Sequence, residues 1–212
     1  MKVAVFGATG KTGVEVVKEA LEQGHKVRAF VRNPSKMTIK NPNLTLIQGD
    51  VLDPKAVDAG VEGTDAVVVA LGATADTKGP MMTNGTKNIV QAMKKYGVKK
   101  LIVEGSYPMS GAPESMEFLS AMMPQDQIAN IKPFIDDKEG QEKVTRESGL
   151  AWTIVRPLTL TDGPRTSKYR VGEKLEVKPG DNISRADVAD FMLKCLESRE
   201  WVGKIVTATS FK

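Results

Sequence analysis

Cysteine and histidine are almost absent from this chain, which holds one of each, Cys195 and His25. A single thiol forms no internal disulfide, and with one imidazole it cannot complete a zinc-type ligand set, so no metal site is expected. Aromatic side chains make up only 5% of the residues, which leaves the core to aliphatic ones. No apolar run approaches the ~20 residues of a membrane span. The first strand starts too soon after Met1 to leave room for the basic and apolar regions of a signal peptide. Charge is present without a strong bias: 30 basic and 26 acidic residues give a net charge of +4. The lysines are scattered, which suits an anionic small molecule better than nucleic acid. These absences point to a cytoplasmic protein with no membrane or nucleic-acid partner, and a monomer is expected.

The 212 residues, 41% hydrophobic and 26% charged, are enough to bury one substantial core. Apolar runs recur at Val3 to Phe6, Val27 to Val31, Leu44 to Gln48, Ala66 to Leu71, Leu101 to Glu104 and Trp152 to Val155. Runs such as Ala66-Val67-Val68-Val69-Ala70 do not alternate, as expected for strands covered on both faces. Helical patterns fall between them at Thr12 to Gln23, Met81 to Lys95, Phe134 to Ser148 and Arg185 to Ser198, with a shorter one near Pro54 to Gly60. Strand and helix in alternation predict an α/β Rossmann-type fold, a doubly wound and mostly parallel sheet with helices on both faces. One domain is expected over residues 1–212, with substrate-side elaborations at about 107–133 and 159–179 that leave the sheet where open α/β sheets bind ligands. Cys195 falls in a helical apolar pattern and reads as core, whereas His25, between the first helix and the second strand, reads as surface.

The strongest local signal is Gly7-Ala8-Thr9-Gly10-Lys11-Thr12-Gly13, set between the first strand and the first helix. Gly7 permits a sharp turn, Gly10 lets backbone approach a pyrophosphate, and Gly13 lets the helix pack closely. The anion then lies on free N–H groups at a helix N-terminus. A triphosphatase phosphate loop is excluded, because its leading glycine would fall on Val5 inside the strand. After the second strand, where an NAD site usually carries an acid, stand Arg32 and Lys36. A guanidinium there suits a 2′-phosphate, so NADPH/NADP+ is the expected cofactor, although such cations are also common on a solvated surface. Asp50 and Val51 follow the third strand, where they could hold the adenine. Leu71 and Gly72 end the fourth strand, where small residues admit the nicotinamide ribose.

These stretches, followed in order by Gly105-Ser106, Arg146-Glu147-Ser148-Gly149-Leu150 and Ile183-Ser184-Arg185-Ala186-Asp187-Val188-Ala189, resemble atypical short-chain dehydrogenase/reductases over nearly the whole chain. Within that superfamily, the compact length, Asp136-Asp137 and the closing Phe191-Met192-Leu193-Lys194-Cys195-Leu196 are most similar to the biliverdin-IXβ reductase/flavin reductase family. The resemblance implies an NADPH-dependent reductase of flavins and linear tetrapyrroles, with flavin as substrate and not as a tightly bound group. It further implies that Gly7, Thr9, Gly10, Lys11, Thr12 and Gly13 hold pyrophosphate and that Arg32 and Lys36 hold the 2′-phosphate. Asp50 and Val51 would hold the adenine, with Leu71, Gly72, Pro157 and Leu158 beside the nicotinamide. Ser106 matches the active-site serine, although a serine that merely ends a strand would look the same. Some relatives carry a histidine near the Pro157 loop, and this chain has none there.

Ordinary short-chain dehydrogenases protonate a carbonyl with Tyr-x-x-x-Lys on one helical face. The tyrosine match here, Tyr96 with Lys100, is broken by Gly97 and runs into the fifth strand, at the end of the sheet away from the glycines. An acceptor that spreads the incoming charge over a conjugated system needs positioning more than a protein acid. Tyr107, Pro108, Met109, Phe118, Met122 and Met123 are candidates for its wall, with Phe118 and Met122 reading equally well as core. Arg165, Lys168 and Arg170 read most simply as a solvated loop, or alternatively as a lure for phosphate or propionate. Two other functions fit the same pattern: an NmrA-like sensor that binds the dinucleotide without turnover, and an assembly protein that uses the fold as a scaffold.

Overall fold

The computed structural model describes residues 1–73, 77, 79–107 and 113–211. Strands β1 (Lys2–Phe6), β2 (Lys26–Val31), β3 (Leu44–Gln48), β4 (Ala66–Val69), β5 (Lys100–Glu104) and β6 (Ala151–Pro157) pair in parallel in the order β3-β2-β1-β4-β5-β6. Between them run α1 (Lys11–Glu22), α2 (Pro54–Val61), α3 (Met81–Tyr96), α4 (Pro113–Met122) and α5 (Gln125–Arg146). Two short strands, β7 (Thr159–Thr161) and β9 (Asn182–Ser184), pair with each other apart from the main sheet. The helix α6 (Arg185–Glu197) leads into β10 (Lys204–Ser210), which lies parallel on β6, while β8 (Tyr169–Gly172) adds an antiparallel edge.

The non-alternating strands are buried on both faces because each face has its own helical layer. Val3, Val5, Val68 and Val155 pack with α1 and α6, whereas Ala4, Phe6, Val67 and Val69 pack with α2 and α3. Successive side chains thus enter opposite cores, which is why a continuous apolar run is needed. Strand order reverses between β1 and β4, and the two glycines that open the crevice there are held by contact. Gly7 has φ +80, and a Cβ on it would lie 2.2 Å from the Ala70 carbonyl oxygen. A Cβ on Gly13 would lie 2.1 Å from the Gly7 carbonyl oxygen, so α1 packs directly on the turn.

Three expectations need correction. The helix expected from Phe134 begins at Gln125 and carries Pro133 inside it, because a small cluster of Leu119, Ile128 and Ile135 holds the added turns. The 107–133 elaboration is therefore substantially helical. His25 is buried instead of superficial, with its ring Nδ1 3.4 Å from the chain's amino group, and burial lowers its pKa. The strands β7, β8, β9 and β10 and the helix α4 lie outside the expected elements. Cys195, as expected, is buried in α6, and burial pushes its thiol up to about 12. Among the described residues no helix is long and apolar enough to cross a membrane.

Candidate functional site

A cavity of about 710 Å³ opens at the C-terminal ends of β1, β4 and β5, on the strand-order reversal. Its first wall is the glycine turn, where Gly7, Thr9, Gly10, Lys11 and Thr12 all face the space. No side chain caps α1 at Gly10, which leaves the first-turn N–H groups open at the cavity edge. A Cβ on Gly10 would come within 3.2 Å of the Gly7 carbonyl oxygen, so the turn stays bare backbone. Arg32 and Lys36 line the far end beside Asp50 and Val51. Both cations are exposed and neither has a carboxylate partner among the described residues. The Asn33 side chain shapes the short turn Pro34–Lys36 by accepting from Ser35 N at 3.0 Å and Ser35 Oγ at 2.8 Å. Leu71, Gly72 and Ser106 form the opposite end.

Other candidates fall elsewhere. Gly13 acts in packing and does not line the cavity, and Pro157 and Leu158 are also absent from its wall. The Pro157 carbonyl instead accepts from Tyr107 N at 3.1 Å, and Leu158 is buried. Tyr107 stacks edge-on against Phe118, with ring centres 5.2 Å apart, outside the lining. Met122 is exposed and Met123 packs on the Leu119 cluster, so neither forms the expected acceptor wall. Pro108 and Met109 lie outside the described residues. Arg165 is tied to Glu19 and Glu22, and Arg170 approaches Asp181 at 3.8 Å. That pairing keeps both cations off the cavity, and exposed Lys168 does not line it either.

The sequence reading missed the two groups at the centre of the site, Lys138 and Glu104. Lys138, on α5, is buried, and its ammonium donates to the carbonyls of Leu71 and Glu104, each at 2.9 Å, and to Gln141 Oε1 at 3.1 Å. All three protons are used, so the side chain ties the ends of β4 and β5 to α5. Burial lowers its pKa, against the opposing pull of Glu104, Glu142 and Asp137. Burial likewise raises the Glu104 carboxyl, which accepts from Thr12 Oγ1 at 2.8 Å. The signal was present as Phe134-Ile135-Asp136-Asp137-Lys138. Phe134 and Lys138 are four apart on α5 and both line the cavity, which is the Tyr-x-x-x-Lys spacing with a phenyl ring where the phenol would be. A search for tyrosine passes over it. Tyr96, the last residue of α3, precedes the start of β5 and is absent from the cavity wall.

A second cavity of about 480 Å³ adjoins the first and shares Ala73, Thr77 and Phe134 with it. Its wall includes Asp137, whose carboxylate replaces a cap at the start of α3 by accepting from Met82 N at 2.9 Å and Thr83 N at 2.8 Å. Phe134 therefore stands between the main cavity and a side chamber.

A family model described as NAD(P)H-binding matches residues 7–199. The chain belongs to that NAD(P)H-binding family. Members and neighbours differ in what they are called. The uncharacterized protein YwnB of Bacillus subtilis is 28% identical over 99% of both chains. The photosystem II assembly factor Ycf39 of Synechocystis is 26% identical over 93% of this chain and 59% of its own length. A (4-alkanoyl-5-oxo-2,5-dihydrofuran-3-yl)methyl phosphate reductase of Streptomyces griseus is 26% identical over 97% of this chain and 62% of its own. Among solved structures, ChuY, an anaerobillin reductase of Escherichia coli O157:H7, superposes with a TM-score of 0.81 at 21% identity, over 98% of this chain and 96% of that one. That likeness concerns the fold. The chain is thus a member of a nicotinamide-nucleotide-binding family whose relatives include a protein named as a reductase.

Proposed function

We propose that this protein is an NADPH-dependent reductase that passes hydride to a planar conjugated acceptor, a flavin such as FMN or a linear tetrapyrrole such as biliverdin. The observation that carries this reading is Phe134 facing the cavity four residues before Lys138, with no tyrosine in the cavity wall among the described residues. A carbonyl substrate would have no phenol to protonate its oxygen, whereas a conjugated ring system accommodates the incoming electron pair by delocalisation.

The residues present fit a dinucleotide. Bare backbone at Gly7 and Gly10 and the uncapped start of α1 suit the pyrophosphate, and Arg32 with Lys36 suits a 2′-phosphate. When bound, NADPH supplies the hydride. The chain's own part is positional. Lys138 fixes the Leu71 and Glu104 carbonyls that frame the nicotinamide end, and Ser106 offers a hydroxyl to orient an amide or the acceptor. Phe134 gives the acceptor an apolar face. Support of a general kind comes from the Streptomyces griseus relative named above as a reductase.

The test is anaerobic NADPH oxidation with FMN, and separately with biliverdin, at catalytic protein concentration beside an NADH control. Turnover that favours NADPH supports the reading. Tight NADPH binding without reduction of either acceptor would refute it and leave a dinucleotide-binding protein that works without turnover.

A further inference from the structure

Three charged side chains meet at the cavity rim from three separate parts of the chain. Lys11 comes from the glycine turn, Arg185 from the first position of α6, and Asp162 from the stretch after β7. Asp162 accepts from Lys11 Nζ at 2.9 Å through one carboxylate oxygen and from Arg185 Nη1 through the other. Both cations line the cavity, and the carboxylate that bridges them does not. The side chain of Arg185 is 19% exposed, against 63% for Asp162 and 69% for Lys11. A guanidinium set into the wall is thus covered by a carboxylate that stands largely in solvent.

We propose that Lys11 and Arg185 form an anion site for the acceptor, with Asp162 as its built-in occupant, and that the preferred acceptor carries a phosphate or carboxylate. This rests on the reductase reading given above. Two cations joined to one exposed carboxylate keep a net positive charge, and exposed ion pairs of this kind are weak enough to be exchanged. A planar guanidinium presents paired donors that a phosphate or carboxylate accepts as readily as Asp162 does. In this proposal Lys11 leaves the pyrophosphate to the bare backbone of the glycine turn, and its pairing with Arg185 belongs to the acceptor's half of the cavity. Arg185 acts electrostatically on the Glu104 carboxyl, at the end of β5 next to Ser106, whereas Arg32 and Lys36 lie beyond β2. Its neighbour in the wall from the same side is Leu160 of β7. The two arginines of the 165–170 stretch cannot serve this purpose while paired with Glu19, Glu22 and Asp181.

FMN and riboflavin share one ring system and differ by a phosphate, so they isolate the charge. Each is titrated by flavin fluorescence into protein saturated with NADP+. The wild type is expected to bind FMN about tenfold more tightly than riboflavin, the worth of a charge-assisted contact. Arg185→Gln should make the two flavins bind alike, and Asp162→Asn, which removes the competing carboxylate, should widen the preference for FMN. A gain of affinity in Asp162→Asn cannot be produced by loss of folding. The proposal is overturned if wild-type protein binds FMN no better than riboflavin or not at all. It is also overturned if Arg185→Gln keeps the preference, or if the loss appears in NADP+ affinity instead. The same samples given NADPH without oxygen test the reading beneath. If neither flavin is reduced, the reductase reading fails while the Arg185-dependent preference is judged on the binding data alone.

Discussion

Replacing Lys138 with methionine keeps the length of the side chain and removes every donor. The carbonyl of Leu71, the carbonyl of Glu104 and Gln141 Oε1 would all lose a partner in a region where Leu71 is 8% exposed, Glu104 7% and Gln141 0%. Hydrogen bonds to a charged group contribute about 1.5–3 kcal/mol each, so three set an upper bound of about 9 kcal/mol. The true loss is smaller, because burial already disfavours the ammonium, as its lowered pKa shows. Deleting one member of a buried charged group typically costs about 3–5 kcal/mol. For a chain of this size that lowers the melting temperature by roughly 10 °C. The measurement is thermal unfolding of both proteins at neutral pH and again at alkaline pH. A lowered lysine pKa means the folded state binds fewer protons than the unfolded one, so wild-type stability should rise as pH climbs toward the usual lysine value of 10.5. Lys138→Met should lack that rise. A melting temperature within about 2 °C of wild type would refute the view that this side chain ties β4, β5 and α5 together.

Arg32→Asp should weaken NADPH binding by about ten- to a hundredfold and affect NADH much less, measured by nucleotide fluorescence; equal losses for both would sink the 2′-phosphate role. Phe134→Tyr places a phenol beside Lys138, and flavin reduction should stay within about threefold of wild type, because no protein proton is needed; a rise of more than about tenfold would show that a missing acid limits the reaction. Burial, with the Asp190 carboxylate close by, pushes the pKa of Glu19 up from 4.5 to about 7, with Arg165 pulling the other way. A raised carboxyl pKa makes the folded state bind more protons between those values, so stability is present below 4.5 and is lost as pH climbs to about 7. Melting temperature should therefore fall more steeply for wild type than for Glu19→Gln over that window, and parallel curves would contradict the assignment.

How much could be read from the chain depends on whether the signal was local. The inner parallel strands announced themselves because each must bury both faces, which the edge strand β3 does not, and the glycine turn because Gly7 and Gly13 are forced by contacts with the end of β4 and with the turn itself. Placement of Arg32, Asp50 and Leu71 around one cavity follows from strand order, which the alternation of elements dictates. Tertiary contacts account for the misses. The helical pattern shows only from Phe134, yet the Leu119 cluster supports α5 back through Pro133. The aromatic and methionine residues after β5 looked like an acceptor wall, but Met123 and Phe118 are taken up by contacts within that segment. Arg165 reads most simply as a solvated loop cation, and its pairing with Glu19 and Glu22 of α1 has no local signal. Lys138 was hidden by its company, since a lysine among Asp136, Asp137 and Glu139 reads as a solvated face. Its burial comes from the carbonyl ends of two strands far away in sequence.

Hydride delivery from NADPH to a flat acceptor in this cavity is the central claim, and a single turnover tests it most directly. Protein loaded with NADPH is mixed anaerobically with FMN, and loss of the oxidised flavin colour is followed with NADPH carrying hydrogen or deuterium at the reacting C4 position. The account predicts bleaching that is slower with deuterium, much weaker from NADH, and undiminished in Phe134→Tyr. No bleaching from the NADPH-loaded protein, or bleaching equally fast from NADH, would contradict it.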